Sequence, residues 1–161
     1  MLPPALLWVD PGLMTGLAFY QSQRHPNWDT GVLPRFNADE FPFWPACKKI
    51  ENVCAIWGNR LAMGWERFAI NATTHKKTPQ PDALHVIGVC RFLAARYECR
   101  VLPDAQQATP SKLEQEQLKA LGWWVRGKDD AQSAAAHMLR YLNQANELPP
   151  KEREILAALG R

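Results

Sequence analysis

The sequence predicts an α/β domain built on a mixed β-sheet, and three observations lead to that prediction. A chain of 161 residues, 47% hydrophobic and 22% charged, fits one globular domain with a sizeable core. An unbroken apolar run at residues 6–9 is typical of a central strand that is covered on both faces. Strand-like and helix-like segments then follow as three strands, a helix, a strand, a helix, a strand and further helices.

The ends of several elements are marked by their residue types. The first strand ends at Asp10, and the Pro-Gly pair after it predicts a tight turn, because Gly12 accepts a positive φ without steric cost. Ser111 or Thr109 can cap a helix that Gly122 ends. The other strands are predicted at 14–20, 27–33, 60–70 and 99–103, and the helices at 46–57, 81–97, 109–122, 129–142 and 151–160.

The helix predicted at 81–97 has a wider apolar face than one sheet needs to cover. Either this helix is deeply buried, or it also contacts another chain. The sequence alone leaves both alternatives open.

Composition narrows the class of protein. No apolar run has the roughly 20 residues that a membrane span requires, and no basic segment precedes the first apolar run as in a signal peptide, so we expect a cytoplasmic protein without a membrane partner. The four cysteines form no C-x-x-C pair, which predicts buried thiols, not a zinc site or a disulfide. A net charge of +3 does not indicate nucleic-acid binding by itself, although basic residues cluster at 48–49, 75–77 and 126–128.

Acidic residues at the ends of buried elements are the candidate functional residues. Asp10 ends the first strand, Glu66 lies within the fourth, and Asp129 and Asp130 begin an alanine-rich helix. If they converge, a bound Mg²⁺ or Mn²⁺ would relieve their repulsion. Two such ions about 3.5–4 Å apart can act on a phosphodiester. The alternatives are a turn residue for Asp10, a surface charge for Glu66, and a capping box formed by Asp129 with Gln132.

Helical geometry separates the two aspartates. The face of Asp130 continues through Ala134 and Met138, which are apolar, whereas the face of Asp129 continues through more polar positions. Asp130 is therefore predicted to point toward the sheet and to be the stronger candidate ligand.

Five segments resemble the RuvC family of Holliday-junction resolvases, within the RNase H-like superfamily, and look closest to the compact resolvases that bacteriophages encode. The similarity covers residues 5–142. Its segments are LLWVDPGLMTGLAFY with Asp10, Gly12 and Gly16, WERF with Glu66, PDALHVIGVCRFLAARY, ATPSKLEQEQLKAL with Lys112, and KDDAQSAAAHML with Asp130. In two places the chain departs from the family: Gly127 stands where an aspartate or histidine is usual, and Phe68 lies one position before the expected base-stacking aromatic.

The resemblance implies an RNase H-like fold with a five-stranded mixed sheet and helices on both faces. It further implies a homodimer, joined through the helix at 81–97, that cuts four-way junctions or other branched DNA. Mg²⁺, with Mn²⁺ as a substitute, is the implied cofactor, at two ions per active site. The catalytic and metal-binding residues that the resemblance implies are Asp10, Glu66 and Asp130, with Lys112 also catalytic, and Asp129 is a further candidate for both roles. The resemblance also implies that Lys112 and Phe68 bind DNA. Local positive charge makes candidate DNA contacts of His75, Lys76, Lys77, Arg126 and Lys128, with an ordinary solvated surface as the alternative.

Residues 1–145 are predicted to form the nuclease domain, and residues 146–161 a C-terminal tail with a short helix. Two other functions remain open at this point, and a third is disfavoured by the length of the chain. One is another RNase H-like nuclease that acts on flaps or RNA–DNA hybrids, and a second is a non-catalytic DNA-binding module of the same fold. The third, an actin-like ATP-binding protein, needs two such domains and does not fit in 161 residues.

Overall fold

A computed structural model describes residues 3–22, 36–67, 81–105 and 109–159 of the chain. It contains five strands and five α-helices within these ranges. The strands are β1 (Ala5–Asp10), β2 (Met14–Gln21), β3 (Phe36–Pro42), β4 (Leu61–Trp65) and β5 (Arg100–Val101). The helices are α1 (Phe43–Trp57), α2 (Pro81–Arg96), α3 (Lys112–Leu121), α4 (Asp129–Gln144) and α5 (Pro150–Leu159).

The strands form one mixed sheet in the order β3-β2-β1-β4-β5. β2 pairs antiparallel with both β1 and β3, whereas β1, β4 and β5 run parallel to one another. Since β1 is central, its apolar run is buried on both faces, as the sequence predicted. The α/β class and the mixed five-stranded sheet with helices on both faces are confirmed.

Side chains of β1 alternate between two separate apolar cores. Leu6 and Trp8 belong to the core that α4 covers, whereas Leu7 and Val9 belong to the core that α1 and α2 cover. This two-residue period places Asp10, the last residue of β1, on the α4 side of the sheet.

The third strand differs from its prediction. The segment predicted as a strand at 27–33 lies outside the described residues, and the third strand of the sheet is β3 at Phe36–Pro42. Its sequence, FNADEFP, contains three polar residues and ends in proline, so its composition did not predict a strand. Such a composition is tolerated because β3 lies at the edge of the sheet. Helix α1 begins at Phe43, three residues earlier than predicted, with Pro45 in its first turn, where a missing N–H costs nothing.

The helix ends follow local chemistry. The Ser111 hydroxyl accepts from the Glu114 N–H, and the Glu114 carboxylate accepts from the Ser111 N–H, which makes a capping box at the start of α3. Gly122 ends this helix with a φ of 71°.

Three of the four cysteines are buried thiols. In the parts of the chain described, no helix has the length and apolarity to cross a membrane.

Candidate active site

An open pocket of about 710 Å³ lies where β1 and β4 end. Its acidic lining residues are Asp10, Glu66, Asp129 and Asp130, and the other residues that line it are uncharged. Among the residues that the structure describes, the lining includes no lysine, arginine or histidine. All the charged side chains in the described wall of the pocket are thus acidic.

Two parallel strands deliver the first two carboxylates. Asp10 is the last residue of β1, and Glu66 directly follows β4, which pairs in parallel with β1. The Glu66 N–H donates to the Val9 carbonyl at 3.1 Å, so the pairing continues to the position of the glutamate. Because side chains alternate along a strand, Glu66 projects from the same face as Gly64, which contacts Trp8. Both carboxylates therefore lie on the α4 side of the sheet.

The third carboxylate comes from the first turn of α4. A Cβ on Gly16 of β2 would lie only 1.9 Å from the carbonyl oxygen of Asp130, so the helix start sits directly on the glycine. In the sheet, Gly16 pairs with Asp10 on one side and with Glu40 on the other. This close approach brings Asp130 to the same end of the sheet as Asp10.

Glu40 of β3 holds the N-terminus of α4 from outside the helix. Its Oε2 accepts from the Asp130 N–H at 3.2 Å, while the N-cap residue Lys128 makes no capping side-chain bond. The capping box predicted for Asp129 and Gln132 is wrong: Asp129 is the first helical residue, and the Gln132 amide donates to the Val125 carbonyl at 2.6 Å. An acidic residue from a neighbouring strand thus satisfies a helix N–H that no local side chain caps.

The carboxylates interact electrostatically. Burial, together with the Glu66 and Asp130 carboxylates, raises the pKa of Asp10 to about 7, and a hydrogen bond from Ser133 opposes the rise. Burial also raises the pKa of Asp130, with contributions from Glu40, Asp129 and Glu66. Asp10, Glu66 and Asp130 therefore share one electrostatic environment.

The carboxylates do not converge on a single point as they stand. In the described residues, no group of three or more Asp, Glu, His or Cys side chains is placed to hold one metal ion. The pKa of Asp10 nevertheless reports that the acids repel one another across the pocket. Cation binding at this site would accordingly require rotation of these side chains.

The structure separates the predicted site residues into three groups. Asp10, Glu66, Asp129 and Asp130 line the pocket, with Glu66 buried, Asp10 and Asp130 half-buried and Asp129 exposed. Lys112, Arg126 and Lys128 do not line it: the first two are exposed, and Lys128 forms an ion pair with Asp39. Phe68, His75, Lys76 and Lys77 lie outside the described residues.

Sequence reasoning missed four residues around the pocket. Ser133 bonds to Asp10, Glu40 bonds to the start of α4, and Trp124 lines the wall. The Nε2 of His137 lies 2.8 Å from Oε2 of Glu66. A helical pattern could have identified His137, because a residue seven positions after Asp130 lies on the same helix face. Glu40 lay in an unrecognised strand and carried no such signal.

The fold and the pocket together define the class: an α/β protein with a mixed five-stranded sheet and an acidic pocket where two parallel strands, β1 and β4, end. No family model matches the sequence, and no curated protein matches it significantly. Among solved structures, the chain is similar to T. thermophilus RuvC in complex with Holliday junction substrate, with 13% sequence identity and a TM-score of 0.47. The similarity covers 89% of this chain and 96% of that one.

Proposed function

We propose that this protein is a metal-dependent endonuclease that hydrolyses phosphodiester bonds in branched DNA and resolves four-way junctions as a homodimer. One observation carries the proposal: carboxylates from β1, β4 and α4 line one open pocket, and its described wall holds no basic residue. Such a wall repels a phosphodiester unless a cation intervenes. The resemblance of five sequence segments to the RuvC family supports the choice of DNA junctions.

The donor set suits a hard divalent cation. Carboxylate oxygens are the ligands that Mg²⁺ and Mn²⁺ prefer. Burial and repulsion by neighbouring carboxylates together raise the pKa of Asp10 to about 7, and a bound cation would offset both. Asp10, Glu66 and Asp130 would hold two Mg²⁺ ions, with Asp129 beside them. Bound ions would neutralise charge on the phosphodiester and activate a water molecule.

The protein's own residues keep these carboxylates in place. Ser133 holds Asp10, and Glu40 holds the helix turn that carries Asp130. Lys112 begins α3 two residues after Pro110, which lines the pocket together with Thr109, and its ammonium group is proposed to contact a neighbouring phosphate. Arg126, Lys128 and the segment His75–Lys77 are proposed as further phosphate contacts, and Phe68 as a base contact.

A non-cutting DNA-binding module would be favoured if Glu66 or Asp130 faced solvent. Glu66 is only 7% exposed, and Asp130 is half-buried. Holding acidic groups in such positions costs free energy, which a DNA-binding surface would not require. Catalysis is therefore the better explanation of the site.

Substitution of the carboxylates tests the proposal. Asp10→Asn, Glu66→Gln and Asp130→Asn should each reduce junction cleavage by more than about 100-fold. This is a larger loss than is typical when a residue that hydrogen-bonds to a metal ligand is replaced. Each variant should still bind junctions in the presence of a chelator, because it loses a ligand and not a packing group. Cleavage would be measured on four-way, three-way, flap, RNA–DNA hybrid and linear substrates.

Asp129→Asn is the matched control, since it removes a neighbouring exposed carboxylate and should have a milder effect. Cleavage by Asp130→Asn at the wild-type rate would contradict the assignment of α4. A preference for flaps or hybrids over four-way junctions would support the proposed nuclease activity and contradict the proposed substrate.

A further inference from the structure

His137 is a buried polar residue that contacts the proposed site from behind. It lies in α4, is 2% exposed, and places Nε2 at 2.8 Å from Oε2 of Glu66. Its other ring nitrogen, Nδ1, lies 3.3 Å from Nη1 of Arg140. His137 thus bridges the glutamate of the pocket and an arginine one helical turn further on.

The two contacts determine where the imidazole carries its proton. A guanidinium group only donates hydrogen bonds, so Nδ1 of His137 must accept from Arg140. Nε2 then carries the hydrogen and donates to Glu66. The geometry defines the neutral Nε2–H tautomer, which leaves the glutamate as the acceptor.

Packing fixes the plane of this imidazole. The Trp8 ring stacks on it with centroids 6.0 Å apart and planes 15° apart. Trp8 can occupy this position because Gly64 has no side chain: a Cβ there would lie 2.5 Å from the indole. The imidazole therefore has little freedom to rotate away from Glu66.

Arg140 is itself anchored on another helix. Its Nε and Nη2 both donate to the carboxylate of Glu114, the latter at 2.9 Å. Glu114 belongs to the capping box that begins α3. A continuous chain of hydrogen bonds thus runs from the N-terminus of α3 through Arg140 and His137 to Glu66.

We infer that His137, supported by Arg140 and Glu114, is a positioning residue that orients the Glu66 carboxylate for a divalent cation. By holding Oε2, it leaves the other oxygen of Glu66 to bind the ion. Ligand carboxylates held in this way bind metal more tightly, since less ordering is needed on binding. This inference rests on the proposed metal-dependent function.

Mn²⁺ affinity tests the inference without measuring activity. The signal of unbound Mn²⁺ in electron paramagnetic resonance would give the affinity of wild type, His137→Phe and His137→Gln. Phenylalanine keeps the stacking on Trp8 but cannot donate, so affinity should fall by about 10- to 100-fold. Glutamine supplies an amide donor and should recover most of the loss. Met138→Leu, a change in the adjacent buried residue of α4, should bind as wild type does.

Arg140→Met gives a second variant should His137→Phe fail to fold, because the Arg140 side chain is 24% exposed and its loss spares the core. It should weaken Mn²⁺ binding less than His137→Phe does. Nitrogen NMR shifts of the His137 ring, at one fixed pH, should report the Nε2–H tautomer in the wild type. The chain has four histidines, and the signals of His137 are identified as those missing from the spectrum of His137→Gln.

The outcomes separate the two proposals. Wild-type Mn²⁺ affinity in both His137→Phe and Arg140→Met, with weak binding by Glu66→Gln, would overturn the inference and leave the nuclease function standing. An Nδ1–H tautomer would likewise overturn it. Absence of Mn²⁺ binding by the wild type would overturn both.

Discussion

Glu66 is a buried acid whose environment compensates for its burial. An isolated carboxylate in a protein interior is costly unless it is paired or hydrogen-bonded. Here the imidazole of His137 donates to Oε2, and Arg140 lies behind that imidazole. These hydrogen bonds offset part of the cost of burying the Glu66 carboxylate.

Glu114 gives the residue-scale prediction. The Arg140 guanidinium holds the pKa of Glu114 at about 2, below its ordinary 4.5. A carboxyl group whose pKa is lowered by folding contributes stability above its unfolded pKa, and this contribution is lost as the pH falls through the folded value. The wild type should therefore lose stability between about pH 4.5 and pH 2 through this group.

Glu114→Gln should remove that pH dependence while keeping the capping box, since glutamine can replace glutamate there. At neutral pH the variant should be less stable by roughly 1 kcal/mol, because a partly exposed ion pair is screened by solvent. Urea unfolding at several pH values measures both effects. Glu116→Gln changes an exposed acid on the same helix and should leave the profile unaltered. Equal acid sensitivity of Glu114→Gln and wild type would refute the ion pair's role.

At the scale of elements, the position of α4 on the sheet determines the site. The helix start contacts the backbone of Gly16, and Glu40 accepts a hydrogen bond from its first turn. Asp130 and Ser133, which line the pocket, and His137, which contacts Glu66, all belong to this helix. A shift of α4 would therefore displace all three side chains together.

Gly16→Ala tests this dependence. The added Cβ would lie 1.9 Å from the Asp130 carbonyl oxygen and 2.8 Å from the Ala131 nitrogen, both backbone atoms, so the helix must move. Overpacking of this kind typically costs about 1–3 kcal/mol. We expect a loss of that size in thermal unfolding, together with weaker Mn²⁺ binding and slower cleavage.

Gly88 of α2 offers a matched control, since a Cβ there meets nothing within 4 Å in the described structure. Gly88→Ala should keep wild-type Mn²⁺ binding and should not lower stability, since glycine inside a helix is less stable than alanine by about 0.5–1 kcal/mol. Unchanged Mn²⁺ binding by a folded Gly16→Ala variant would show that the contact of α4 with β2 does not set the site.

These contacts also show what the sequence could and could not predict. Helical periodicity predicts that Asp130 points toward the sheet. That Asp10 and Glu66 share one face depends on the register of β1 with β4, which the sequence does not give. The pairing of β3 with β2 is a long-range contact, and FNADEFP has no alternating pattern that reveals it. The role of Glu40 follows only from that pairing, so local reasoning could not find it.

At the scale of the whole molecule, the two faces of the sheet differ in what they leave exposed. The α4 face carries the acidic pocket. On the other face, α2 buries Val86 and Cys90 against the sheet, yet leaves Leu84 46% and Phe92 61% exposed. Leu84, Gly88 and Phe92 follow one another at intervals of four residues and form one apolar stripe along α2. This stripe is available for a second copy of the chain.

We therefore expect dimerisation through α2. Light scattering should give about twice the 18.3 kDa chain mass for the wild type. Phe92→Glu places a charge at the most exposed hydrophobic side chain of the stripe, where association would bury it, so this variant should be monomeric at micromolar concentration. Under the proposed function, in which each subunit cuts one strand, single nicks should then replace paired incision of a four-way junction.

Leu113→Glu is the control for this change. Leu113 is 59% exposed on α3, which packs on the α4 side of the sheet, so the same charge is introduced away from the stripe. The Leu113→Glu variant should remain dimeric. A monomeric wild type, or a Phe92→Glu variant that still has twice the chain mass, would contradict dimerisation through α2. Mn²⁺ binding by the monomeric Phe92→Glu variant should be unchanged, because every described acid of the pocket comes from one chain.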